Sequence, residues 1–174
     1  GTQLKFGLLS FFQINIPVFE KALEDIAAFL HPKIPIVDYY SGVGAISLPL
    51  SQSREHTYLV DNNAEAIAYA NENIAINKRT HCEAHCLPAE DMVKLIEANQ
   101  MVILDPPRAG LHTKLLTRLL IKKPIRIIYM SCDLATHARD LKLLSQEYKV
   151  TFLKLYNFFP RTPHIEGLVV LDRV

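Results

Sequence analysis

The sequence predicts an α/β fold built on a mostly parallel seven-stranded sheet, and three observations carry that expectation. Short apolar, β-branched runs alternate with helical patterns from one end of the 174 residues to the other, the order of a parallel sheet with crossover helices. The closing two strands follow each other without a long helix between them. The composition, 49% hydrophobic and 21% charged, is that of one globular domain with a real core. No apolar run approaches the roughly 18 residues that a membrane-spanning helix needs.

The elements follow in order. Asn15 is a good N-cap and Pro17 sits in the first turn of a helix running to about Leu30. Ile34 to Tyr39 is the first strand, ending in Ser41-Gly42-Val43-Gly44, and a short helix follows through Leu50. Thr57 to Val60 is the second strand, closed by Asp61; Asn62 or Asn63 then caps a helix to about Asn77. A third strand lies near His81 to Leu87, with a helix expected from about Ala89 to Ala98. The fourth strand, Met101 to Leu104, runs into Asp105-Pro106-Pro107-Arg108, and Thr113 to Ile121 is helical. Ile125 to Met130 is the fifth strand, ending at Ser131-Cys132, and a helix covers roughly Ala135 to Gln146. Lys149 to Phe158 and Ile165 to Leu171 close the chain. There is no internal repeat, low-complexity segment or linker, so residues 1–174 form one domain.

This order of elements resembles that of the Rossmann-like methyltransferases. The resemblance implies an otherwise parallel sheet with an antiparallel last strand. In open α/β sheets ligands bind beyond the carboxyl ends of the strands. Candidate positions therefore lie at Asp38 to Gly44, Asp61, Asp105 and Cys132. Gly42 and Gly44 let the backbone approach a ligand, and the next helix start offers free N–H groups. Asp61, closing the second strand, suits a bidentate grip on a ribose diol. NAD and S-adenosylmethionine both carry such a ribose, and Gly42-x-Gly44 does not separate them. The dinucleotide fingerprint, however, needs a third glycine where this chain has Ser47.

Two features address chemistry. Asp105-Pro106-Pro107 makes a rigid, extended turn that lacks two N–H donors and can present carbonyls to a flat base. Such a turn followed by an aromatic residue marks methyltransferases acting on amino groups, but Arg108 stands in that place here. Cys132 lies at the end of a strand and before a helix, where a helix N-terminus lowers a thiol's pKa. Uracil C5 becomes nucleophilic only after a thiolate adds to C6, and a base must later remove the C5 proton. Glu166, just before the last strand, is the candidate base. As structural readings, Cys132 is a small buried hydrophobe and Glu166 a surface charge at a strand entry.

Several segments together resemble the catalytic domain of the RNA uracil-5 methyltransferases. They are Phe11-Phe12-Gln13-Ile14-Asn15, Val37-Asp38-Tyr39-Tyr40-Ser41-Gly42-Val43-Gly44, Leu104-Asp105-Pro106-Pro107-Arg108-Ala109-Gly110 and Tyr129-Met130-Ser131-Cys132. Ala135-Thr136-His137-Ala138-Arg139-Asp140-Leu141 and His164-Ile165-Glu166 match as well. The resemblance implies Cys132 as nucleophile, Glu166 as proton-abstracting base, and Gln13, Tyr40, Asp61 and Asp105 as contacts to S-adenosylmethionine. Arg108 and Arg139 are expected near RNA phosphates or in structural ion pairs. The chain departs from the family pattern in having Asp133-Leu134 where Asn-Pro is usual, Asp61 where Glu is common, and Ala45 where Asn often contacts the cofactor. Asp133 beside the nucleophile is expected to raise the thiol pKa.

The family also carries an N-terminal RNA-binding barrel and a central domain, sometimes with a four-cysteine iron–sulfur cluster; neither domain is expected within these residues. Gly1-Thr2-Gln3 lacks an initiator Met and does not resemble a signal peptide, so the chain is expected to be a piece of a longer protein. A net charge of +1 is small for a domain that holds RNA alone, which leaves either a clustered basic face or help from other domains. The expected partner is RNA, ribosomal RNA ahead of tRNA, with no membrane and a monomeric state.

Cys82, Cys86 and Cys132 cannot all pair, so reduced thiols and a cytoplasmic location are expected. No metal is expected at His81-Cys82-Glu83-Ala84-His85-Cys86, because strand alternation sends the cysteines and the histidines to opposite faces. The competing readings are an amino-group nucleic-acid methyltransferase and a catalytically inactive cofactor- or RNA-binding module.

Overall fold

The computed structural model describes residues 1–8, 10–52 and 55–174. Its elements are α1 (Ile16–Phe29), β1 (Ile36–Tyr39), α2 (Ser47–Leu50), β2 (Thr57–Asp61), α3 (Ala64–Ile76), β3 (Cys82–Cys86), β4 (Met101–Leu104), α4 (Thr113–Lys122), β5 (Arg126–Ser131), α5 (Leu134–Leu144), β6 (Tyr148–Tyr156) and β7 (Glu166–Arg173). The seven strands lie in the order β3-β2-β1-β4-β5-β7-β6. β1 to β5 pair in parallel, and β7 runs antiparallel to both β5 and β6. Strand order reverses between β1 and β4, which is where a doubly wound sheet opens a ligand crevice. No helix among the described residues is long and apolar enough to cross a membrane.

The central strands are buried on both faces, which explains their unbroken apolar runs. Residues alternate between two cores. Ile36, Met101, Ile103, Ile128, Met130, Leu168 and Val170 pack with Phe19, Ala22 and Ile26 of α1. Val37, Tyr39, Val102, Leu104, Ile127, Tyr129, Val169 and Leu171 pack with Leu115 and Leu119 of α4 and Leu144 of α5. Each large side chain buried this way contributes about 1.5–3 kcal/mol relative to exposure.

Asn15 does precede α1, but its side chain makes no cap bond to the helix. Its amide instead donates to Phe158 O at 3.2 Å, tying the helix start to the end of the β6 segment.

The helix expected over Ala89 to Ala98 is not formed. In its place are two 3-10 turns, Ala89–Asp91 and Val93–Leu95. The cause is tertiary. Tyr39 Oη donates to Met92 O at 2.8 Å, and Arg118 Nε donates to Val93 O at 3.1 Å and Nη2 to Ile96 O at 3.3 Å. Carbonyls that an α-helix would satisfy along its own axis are satisfied from β1 and α4 instead, while Ala89, Met92 and Ile96 remain buried.

Candidate active site

Alternation along the strands builds the site. Asp38 lies between Val37 and Tyr39, both of the α4/α5 core, so it points to the α1 side. The same alternation carried just beyond β4 and β5 puts Asp105 and Cys132 on that side, and Glu166, two residues before Leu168, joins them. The antiparallel strand is what brings Glu166 in. Ser131 pairs with Gly167, so one step further out Cys132 faces Glu166. A parallel strand would have delivered its first residue to the opposite edge of the sheet.

These side chains line one cleft of about 560 Å³, whose walls include Phe11, Phe12, Gln13, Tyr40, Gly42, Asp61, Asp105, Pro106, Arg108, Cys132 and Glu166. All six residues singled out from the sequence therefore meet in one place. The glycine loop forms the cleft's upper end. Tyr40, Gly42 and Gly44 all take left-handed backbone angles, at φ 63°, 54° and 84°; Tyr40 adopts this geometry despite its bulk. A Cβ on Gly44 would lie 2.6 Å from Leu48 Cδ1 and 2.8 Å from Leu59 Cδ2. Asp61 braces the loop, accepting from Gly42 N–H through Oδ2 and from Asn63 N–H through Oδ1, each at 2.8 Å.

The other wall is the segment before α1. Asn73 on α3, fully buried, accepts from Lys5 N–H at 2.7 Å and donates to Lys5 O at 2.9 Å and Val43 O at 3.1 Å. One turn on, Asn77 holds Gln3 in the same two-way manner, at 2.9 Å from Gln3 N and 2.6 Å from Gln3 O. Phe6 and Phe12 stack at 4.6 Å. The arm thus delivers Phe11, Phe12 and Gln13 to the cleft. Gln13 is buried, and among the described residues its Oε1 has no hydrogen-bond partner.

At the base of the cleft acids crowd together. Burial pushes Glu166 up to about 7. Burial also pushes Asp38 up to about 7, with the neighbouring Ser47 pulling the other way and Asp61 raising it further. Asp105 is driven well above the usual carboxylate range by burial, then by Glu166 and Asp38. Cys132 is raised too, by burial first and then by Glu166 and Asp105, with its own backbone and Arg108 pulling the other way. The helix-start effect expected at Cys132 is therefore outweighed, and the resting thiol is protonated at neutral pH.

Asp133 behaves differently from the expectation. It is the N-cap of α5, accepting from Thr136 N–H at 2.8 Å through Oδ1. Those bonds hold its carboxyl below the usual range, and it is not among the groups that raise the Cys132 thiol. Arg139 forms an ion pair with Asp140 at 2.8 Å, while Arg108 is exposed at the cleft lip, with Nη2 3.5 Å from His164 Nδ1. Among the described residues no group of three or more His, Cys, Asp or Glu side chains is arranged to hold a metal ion.

Asn73 is not singled out by the sequence reading, and Asp38 enters it only as the first residue of the candidate stretch Asp38 to Gly44. The signals were present: a carboxylate inside an apolar strand, and an asparagine on the inner face of a helix.

Comparison with known proteins agrees with this geometry. The model of a family described as tRNA (uracil-5-)-methyltransferase matches residues 3–174. An RNA methyltransferase of Mycoplasma mobile, itself uncharacterised, is 34% identical over 178 residues, covering 100% of this chain and 48% of that protein. Another uncharacterised RNA methyltransferase, from Parasynechococcus marenigrum, is 37% identical, with 100% of this chain and 39% of its own length covered. The chain thus spans less than half the length of these relatives.

Among solved structures, the Pyrococcus abyssi tRNA (uracil-54, C5)-methyltransferase in complex with S-adenosyl-L-homocysteine superposes with a TM-score of 0.84 at 34% identity, over 94% of this chain and 40% of that one. An rRNA methylase from Streptococcus thermophilus shares the fold, with a TM-score of 0.71 at 14% identity over 90% and 96% of the two chains. With strand order, cleft and nearly every residue accounted for, the chain belongs to the tRNA (uracil-5-)-methyltransferase family.

Proposed function

We propose that this chain is the catalytic domain of an enzyme that methylates C5 of a uridine in RNA, using S-adenosylmethionine, with Cys132 as nucleophile and Glu166 as base. The observation that carries the reading is the meeting of Cys132 and Glu166 at the end of the β5–β7 pair, beside the glycine loop.

The residues present fit the cofactor. A Cβ on Gly42 would have only Phe11 O near it, at 4.0 Å, so the loop leaves room for a ligand to lie close to its backbone. Asp61 stands where a ribose diol would be held, and Tyr40 and Asp105 line the same cleft. Gln13 Oε1 is a buried acceptor without a partner among the described residues, which suits an N–H donor of a bound ligand. The cleft volume lies within the range of small-molecule sites, about 300–1,000 Å³. When bound, S-adenosylmethionine supplies an electrophilic methyl group on a sulfonium.

The protein's own residues do the rest. Cys132 loses its proton to solvent before the uracil seats, and its thiolate adds to C6 of the uracil, pushing the C5=C6 electron pair toward C4–O and leaving C5 nucleophilic. After C5 is methylated, Glu166 takes the C5 proton; the C5=C6 bond reforms and the C6–S bond breaks, restoring Cys132. A carboxylate raised to about 7 is a stronger base than an ordinary one and is still about half ionised at neutral pH.

The test is mass spectrometry after incubation with S-adenosylmethionine and RNA carrying 5-fluorouridine, whose fluorine cannot leave as a proton. A methylated adduct on Cys132 is expected. Methylation of unmodified RNA that survives Cys132→Ala would refute the nucleophile and point to an amino-group acceptor. Parallel incubations with tRNA and with ribosomal RNA fragments identify which class is trapped.

A further inference from the structure

Asp140 is a buried carboxylate, 1% exposed, to which the chemistry above assigns no role. It lies on the face of α5 that meets the loop after β4. Its Oδ2 accepts from Leu111 N–H and from Tyr129 O–H, each at 2.9 Å, and its Oδ1 from Arg139 Nε–H at 2.9 Å. Arg139 Nη2 in turn donates to Ala109 O at 3.0 Å, and Thr136 Oγ1 lies 3.0 Å from Arg108 O. Residues 136, 139 and 140 stand at the i, i+3, i+4 spacing that shares one helix face. Together they grip the backbone of the loop at 108, 109 and 111.

The fit leaves no slack. The loop turns on a Gly110 N–H to Pro107 O bond of 2.8 Å. Gly110 has φ +79°, and a Cβ there would sit 2.6 Å from both Arg139 Nη2 and Asp140 Oδ2. Only a glycine lets the backbone lie this close to the carboxylate.

The two sides of the clamp matter because of what each carries. The loop begins at Asp105-Pro106-Pro107-Arg108, one wall of the cleft. Helix α5 begins two residues after Cys132. The two come from adjacent strands whose ends do not themselves fix the distance between nucleophile and loop. Tyr129 anchors the same carboxylate to β5, the strand that ends at Cys132.

From this geometry we infer that Asp140, helped by Arg139 and Thr136, is a positioning residue that sets the base-facing loop at its working distance from Cys132. This rests on the reading of Cys132 as the nucleophile. A displacement of about 1 Å at reacting groups is enough to cost about 100-fold in rate. Asp140 touches no substrate in this role; it acts through the loop.

The experiment uses a short hairpin RNA with 5-fluorouridine in its loop and saturating S-adenosylmethionine. The rate constant for adduct formation and the final adduct yield are measured separately. Calorimetry gives S-adenosylmethionine affinity, and thermal melting gives the folded fraction. Asp140→Asn keeps one acceptor oxygen but sets an NH2 against either Leu111 N–H and Tyr129 O–H or the Arg139 guanidinium, and should slow adduct formation by about tenfold or more without lowering the yield from folded protein. Arg139→Ala, at a half-exposed side chain, should slow it by a few-fold with little change in melting temperature, and Arg139→Lys should recover part of that loss. Affinity for S-adenosylmethionine should stay within a few-fold in all three.

Adduct formation at the wild-type rate in Asp140→Asn would overturn the proposal. So would a loss of yield that tracks unfolding while the rate of the folded fraction is unchanged, because Asp140 would then serve stability alone. Wild-type protein that forms no adduct on Cys132 would overturn the nucleophile reading instead, and this inference with it.

Discussion

Replacing Asn73 by alanine should loosen the wall of the cleft without touching any residue that lines it. The side chain makes three hydrogen bonds, to Lys5 N, Lys5 O and Val43 O. The two Lys5 groups lie on an exposed residue, so water replaces Asn73 there and each loss costs about 0.5–1.5 kcal/mol. Val43 belongs to the buried core; a carbonyl stranded there costs about 1–3 kcal/mol. The sum is about 2–6 kcal/mol, a large part of the roughly 5–15 kcal/mol that holds a domain together.

Because two of the three bonds belong to the arm, much of the loss should appear as local undocking of residues 3–8 and 10–13. Urea unfolding should show a lower midpoint with a similar slope. Limited proteolysis should cut the arm faster than the body. Affinity for S-adenosylmethionine should fall by about tenfold for every 1.4 kcal/mol by which docking becomes unfavourable, because Gln13 is carried by the arm. Asn73→Asp, which keeps the acceptor for Lys5 N but turns a buried charge toward two carbonyls, should be at least as harmful. A variant with unchanged midpoint, proteolysis and affinity would refute the coupling between arm and glycine loop.

Substitutions at three other residues test separate parts of the reasoning. Glu166 unfolded loses its proton near its ordinary value, and folded near 7; across that window the native state holds the extra proton, so stability falls as pH rises. Glu166→Gln should therefore stabilise the protein more at pH 8 than at pH 5, by melting temperature, while trapping RNA as an unreleased adduct on Cys132. Turnover of the unsubstituted enzyme should decline as pH drops below about 7, where Glu166 is protonated; a flat profile down to pH 5 would exclude Glu166 as the base. Gly44→Ala combines a left-handed φ of 84° with contacts as short as 2.6 Å, and should cost about 2–5 kcal/mol in chemical denaturation. Asp133→Asn keeps an N-cap of equal quality and should leave both stability and adduct rate nearly unchanged, whereas Asp133→Ala should cost about 1 kcal/mol. A marked acceleration in Asp133→Asn would mean that the carboxylate does burden the thiol.

The centre of the sheet was legible in the sequence because β1, β4 and β5 are short apolar runs buried almost throughout, each followed by a turn signal. The order of elements then implied the antiparallel strand, and Gly42, Asp61, Asp105 and Cys132 declared themselves by sitting at strand ends. What escaped were interactions between a side chain and a backbone far away in the chain. Nothing in the spacing of Ala89 to Ala98 reveals that Tyr39 and Arg118 take its carbonyls. Asp133 read as a charge beside a thiol, when the local bond to Thr136 turns it into a cap. Asp140 and Asn73 occupy inward positions of amphipathic helices, where a polar residue shows only that some partner exists. The sequence attached the rise of the Cys132 thiol to Asp133, whereas burial, Glu166 and Asp105 cause it, and the two acids come from beyond other strands.

The central place of β7 has a consequence for how the site comes into being. The strand slots between β5 and β6, and β6 has no other neighbour, so neither of the last two strands can pair until both have been made. β1 to β5 can assemble earlier, carrying the cleft's glycine loop and Cys132. Glu166 arrives with the final strand. If Cys132 and Glu166 act as proposed above, a partly folded chain holds the nucleophile without its base, and insertion of the last strand completes the pair.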